Sequence, residues 1–122
     1  MLNNAVVASA ELSRFFQVAH QFQAEGCSTP MPAGFMDEHW HGLLKDEKSY
    51  VAFCVDAVGV PVMHVSRKGQ GRLPWVAAYE ARFGKLDPIW FTDSSGKLDH
   101  EAYQRYLDSG EVIASWDCEP LE

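Results

Sequence analysis

Cysteine is scarce in this chain, and the three that occur, Cys27, Cys54 and Cys118, are odd in number and form no CxxC pair. That excludes a disulfide framework and a cysteine-only zinc site, and it leaves an expectation of free thiols in a reducing compartment. Long apolar runs are missing too, since none approaches the ~20 residues that span a bilayer. Met1 to Ala10 carries no Lys or Arg ahead of its apolar residues, so it lacks the flank of a secretory signal. No membrane association and a cytoplasmic location are the expectations. Positive charge is equally thin: ten Lys and Arg against seventeen Asp and Glu leave a formal net charge of -7. Wrapping a polyphosphate needs a cation for each contact, so nucleic acid is an unsuitable partner, whereas a basic protein is a suitable one.

What is present is ordinary globular material. Hydrophobic residues make up 47% of the 122, with seven Phe, four Trp and four Tyr, enough bulk to expect one globular domain over residues 1–122. Leu12, Phe15, Phe16, Ala19 and Phe22 recur at helical spacing and predict an amphipathic helix over about 5–24. The segment from Gly26 to Gly34 holds Pro30 and Pro32 and reads as a loop. Met36, Trp40, Leu43 and Leu44 mark a second helix, with Asp37 and Glu38 in its first turn. Asp46 caps a third, with Tyr50, Phe53, Cys54 and Ala57 on its apolar face and Gly59 at its end.

Pro61 to Arg72, with two glycines and several charges, reads as a solvated loop. Pro74 starts a helix bearing Trp75, Val76, Tyr79 and Phe83, stopped by Gly84. Ile89 to Thr92 has strand character, and Asp93-Ser94-Ser95-Gly96 is turn chemistry. A fifth helix follows the Asp99 cap and ends at Gly110. Val112 to Trp116 reads as a second strand, paired with the first. The expected fold is therefore mainly α: a compact helical domain of about five helices with a small C-terminal β-hairpin.

The densest polar constellation is Asp37-Glu38-His39-Trp40-His41. On a helix Asp37 and His41 lie one turn apart on one face, where a carboxylate can orient an imidazole and raise its basicity. His39 points elsewhere. His64 follows the third helix and can return toward His41, while Cys54 faces inward from that helix. Asp37, His41, His64 and Cys54 are thus candidate ligands for zinc or iron, and Asp37, Trp40 and His41 are the candidate binding residues. On the plainer alternative, Asp37 only favours the helix start, His41 bonds a backbone carbonyl and Cys54 is a packed thiol. Neither HExxH nor GxSxG occurs, and Gly69-Gln70-Gly71 lacks the GK[ST] of a phosphate loop. Met31, Met36 and Met63 are candidates for one adaptable surface, or for core filling.

Met36-Asp37-Glu38-His39-Trp40-His41, then Tyr50, Phe53-Cys54, Gly59 and His64, resembles the short bacterial members of the glycine-rich domain-containing protein-like family, over about residues 35–91. The family's activity is largely unassigned, so the resemblance implies no reaction. Leu43 stands where some relatives carry the second histidine of Trp-His-x-His, which leaves Asp37, His41 and His64 as the donors it would supply.

Two functions follow as expectations. The first is a small acidic, noncatalytic binding module, an accessory or immunity-type protein that recognises a protein partner. The alternative is a metal-dependent or acid-base enzyme centred on Asp37, His41 and His64. A third reading has Asp37, Trp40 and His41 merely locking the second helix to the core.

Overall fold

The computed structural model describes residues 3–121. In chain order the elements are α1 (Asn4–Ala24), β1 (Met31–Pro32), α2 (Phe35–Leu43), α3 (Glu47–Val58), β2 (Met63–Arg72), α4 (Val76–Phe83), a 3-10 helix (Pro88–Phe91), α5 (His100–Ser109) and β3 (Ile113–Leu121). The mainly helical expectation is corrected: five α-helices accompany a three-stranded antiparallel sheet in the order β1-β3-β2, so the fold is mixed α and β.

The helices start and stop where local chemistry places them. The Asn3 side chain accepts the Val6 amide at the head of α1, Asp46 accepts that of Ser49 at α3, and Asp99 accepts that of Ala102 at α5. Gly59 and Gly110 end α3 and α5 in the left-handed conformation that glycine adopts without strain. Gly34 precedes α2 at φ 144, and a Cβ there would meet the Thr92 carbonyl oxygen at 2.9 Å. Only glycine lets α2 begin this close to the end of the 3-10 helix.

The strands are where the expected hairpin fails. Ile89, Trp90 and Phe91 are buried in the 3-10 helix, opened by Pro88 and the Asp87 cap, and form no strand. The partner of β3 is instead the segment expected to be a loop. That segment, β2, pairs with β3 from Met63↔Leu121 to Arg72↔Ile113, with an irregularity between Ser66 and Gly69. β2 has almost no buried residues, so no apolar alternation announces it, and backbone pairing alone makes it a strand. Gly69 lies under the Trp116 indole, where a Cβ would come within 2.6 Å of the ring. On the other side of β3, Met31 and Pro32 add the short β1 within the expected Gly26–Gly34 loop.

One face of α1 is the floor of the core: Ala8, Leu12, Phe15, Phe16 and Ala19 are buried. Phe15 packs on Trp75 and Trp90, and Phe16 packs on Trp40, Tyr50 and Phe53. Met31 and Met36 belong to this core while Met63 is 59% exposed, so the three do not share a surface. Glu11 sits in the same buried face of α1 and is satisfied there. Its carboxylate accepts from Tyr79 Oη and from Trp90 Nε1 at 2.9 Å, and Arg14 lies 3.3 Å away.

Substituting Glu11→Ala would strand two buried donors at once, and a loss of about 2–4 kcal/mol is expected in urea unfolding. Burial raises the phenols of Tyr50, Tyr79 and Tyr106 above their ordinary value, with Glu11 adding to the effect at Tyr79 and Glu80 at Tyr106. The unfolded chain therefore loses these protons first. The phenols' contribution to stability should be level below about pH 10 and fall as pH rises beyond it, which unfolding curves in alkaline buffers would read.

Candidate metal centre

Asp37, His41, His64 and Cys118 form a group whose candidate ligand atoms all lie within 4.8 Å of one another. Three elements supply them. Asp37 and His41 are one turn apart on α2, as their spacing requires. His64 is the second residue of β2 and Cys118 lies on β3. Because His64 pairs with Pro120 and Cys118 is two residues before it, the two side chains project from the same face of the sheet toward α2.

The atoms converge in a chain. His41 Nε2 is 3.0 Å from His64 Nε2 and 3.3 Å from Asp37 Oδ1, and the Cys118 thiol donates to that same Oδ1 at 3.0 Å. The two imidazoles stand at 86° with centroids 4.7 Å apart. Two imidazole nitrogens at that separation need a proton between them. Tetrahedral zinc, with bonds of about 2.0–2.3 Å, separates its donors by about 3.3–3.6 Å, so an ion in place of that proton would need the short contacts to open by a few tenths of an ångström and the widest pairs, up to 4.8 Å, to close. Asp37 and Cys118 are buried, His64 is partly so and His41 is exposed, which puts one edge of the group at the surface.

The surroundings prepare His64 in particular. Burial, with the charge of His41 added, lowers its pKa and favours the neutral ring that a metal needs. Burial and the Asp37 hydrogen bond push the Cys118 thiol far up, so without an ion it stays protonated. Trp40 is entirely buried and cannot be a contact residue for a partner. Its ring meets His64 edge-on at 4.6 Å, while its Nε1 donates at 3.0 Å to Tyr50 Oη, which donates at 2.6 Å to the Val62 carbonyl. That relay fixes the chain two residues before His64, so Trp40 positions His64.

The cysteine in the group is Cys118, not Cys54. Cys54 faces inward from α3 as expected, but it is buried in the core beside Tyr50 and is not among the clustered donors. Cys118 was missed because its segment, beyond Trp116, carries Asp117, Glu119 and Pro120 and shows no strand pattern. The one available signal was that it is another soft donor in a chain with few. His39 does point elsewhere, to Ser9 Oγ at 2.8 Å and onto the Phe35 ring. Beside Cys118, Glu119 is buried and pairs at 2.6 Å with Arg67, which is solvent-exposed as expected but lies on a strand rather than in a loop.

Burial separates the three free thiols: Cys27 is exposed, Cys54 and Cys118 are buried. A brief pulse of iodoacetamide on the native protein should label Cys27 at least tenfold faster than the other two, read by peptide mass spectrometry. Comparison with family models, curated proteins and solved structures finds no match for this chain.

Proposed function

We propose that this protein is a noncatalytic binding module whose sheet is clamped to α2 by one zinc ion held by Asp37, His41, His64 and Cys118. The observation that carries the reading is the meeting of four donors of zinc-binding type from three separate elements within 4.8 Å. Four protein ligands complete a tetrahedron and leave no open position for water or substrate, the pattern of a structural rather than a catalytic zinc. The N, O and S donor set also suits iron(II), but four donors with one thiolate among them fit zinc better.

The enzyme alternative has less support. An acid-base site would need a concavity beside His41, and the large cleft of about 940 Å³ is lined by none of the four residues. No helix among the described residues is long and apolar enough to cross a membrane. The three free thiols suit a reducing, cytoplasmic setting. Membership of the glycine-rich domain-containing protein-like family is part of the same proposal, because Asp37, His41 and His64 lie in the segment that resembles it.

Elemental mass spectrometry of the purified, untagged protein should find about one zinc per chain. His41→Ala, His64→Ala and Cys118→Ala should each lose it, and Cys54→Ala should retain it. Free zinc at 100 times its dissociation constant should stabilise the fold by about 2.7 kcal/mol. A folded wild-type protein that contains no metal and takes up none from added zinc would remove the clamp.

A further inference from the structure

The sheet ends at an open edge. In an antiparallel ladder both backbone groups of a residue point to the same side, and the side alternates along the strand. On β3, the Val112 carbonyl accepts from Leu73, toward β2, whereas the Ser115 carbonyl accepts from Ala33, in the row of β1. Ile113, two residues from Ser115, therefore turns its amide and carbonyl toward the row of β1. That row leaves the sheet at Gly34 to start α2. β1 pairs with β3 only at Met31↔Cys118 and Pro32↔Trp116, and among the described residues no segment outside the sheet bonds the backbone of Ile113.

The space beside this edge is the cleft of about 940 Å³, bounded by Pro32 to Gly34, by Ile113 to Ser115, by the 92–98 turn and by α5. Phe91, Leu98 and Ala102 contribute apolar surface to it. Its charged lining is lopsided: Asp93, Asp99, Glu101, Asp108 and Glu111 against Lys97 and Arg105. Ile113 itself is 72% exposed, so the edge is accessible.

We propose that this cleft binds an extended, basic peptide segment of another protein, which adds to β3 in the row that β1 vacates. Main-chain bonds to Ile113 supply the docking, the apolar wall takes alternate side chains, and the carboxylates select Lys and Arg on the others. A second copy of this chain is a poorer occupant, because two chains of net charge -7 repel. The inference rests on the reading of the protein as a noncatalytic binding module but is independent of the zinc.

The test uses the full chain and the capped peptide Lys-Val-Arg-Val-Lys, followed by amide chemical shifts with and without zinc. Shifts should concentrate at residues 113–115 and 98–105 and weaken with salt. Two versions N-methylated at alternate positions should differ at least tenfold in affinity, because a strand offers only one set of amides to its neighbour. Ile113→Pro removes a donor that faces the cleft and no ladder bond, so it should keep the circular dichroism spectrum and weaken binding at least tenfold. If that variant misfolds, the N-methyl pair on the wild-type chain still decides.

The proposal is overturned by no shift at 113–115 at millimolar peptide, by equal binding of Glu-Val-Glu-Val-Glu, by equal affinity of the two N-methyl versions, or by concentration-dependent self-association through the same amides. Peptide binding that fails in a chain holding stoichiometric zinc would sink the cleft and leave the clamp. Binding that persists in a chain that contains no metal and takes up none from added zinc would leave the cleft and sink the clamp.

Discussion

Antiparallel pairing of β2 with β3, from Met63↔Leu121 to Arg72↔Ile113, is the constraint on which the candidate sites depend. It joins residues about 50 positions apart mainly through backbone groups, since β2 brings no buried side chain to the contact. At one end the register sets His64 diagonally from Cys118, over the face of α2 that carries Asp37 and His41. At the other end the same ladder holds Val112 to Leu73 and thereby turns the backbone of Ile113 into the cleft. A one-residue slip would reverse both outcomes, because each side chain would change face and each amide would change side.

Several local features pin that register. The Trp116 indole over Gly69 leaves no room for a side chain at that position, and Arg67 reaches Glu119 across the two strands. Trp40 and Tyr50 hold the chain at Val62 just before β2 begins. The aromatic core on α1 anchors the other side of this arrangement, with Phe16 packed against both Trp40 and Tyr50. Core packing and ligand placement thus share residues, so a change at Trp40 would be felt at His64 through the ring contact between them.

The clustered donors compete with one another for protons. Two imidazoles compete for one proton, a carboxylate takes the bond of a thiol, and that thiol is held protonated by burial. An ion would exchange these contacts for bonds to a common centre, at the expense of the thiol proton. The cleft contains no such cluster. It combines an open backbone edge with an acidic rim, chemistry suited to a peptide rather than to an ion.

Helices were legible because their signals are local. The α1 stripe from Leu12 to Phe22, the caps Asp46 and Asp99, and the stops Gly59, Gly84 and Gly110 each act within a turn of their own position. The pairing of Asp37 with His41 was legible for the same reason, since four residues on a helix are neighbours in any fold. The sheet was not: β2 exists only through its partner, Ile89 to Phe91 became a 3-10 helix under Pro88 and core burial, and β3 paired away from it. The cysteine of the clustered donors followed the sheet. Cys54 looked suitable from helix geometry, but the partner of Asp37 is 81 residues along the chain, a distance that only tertiary pairing spans. By itself the sequence determined the helices, their ends and three of the four clustered donors, Asp37, His41 and His64. The tertiary structure decided the strands, their register, Cys118 and the open edge, because those depend on backbone hydrogen bonds that side-chain patterns do not encode.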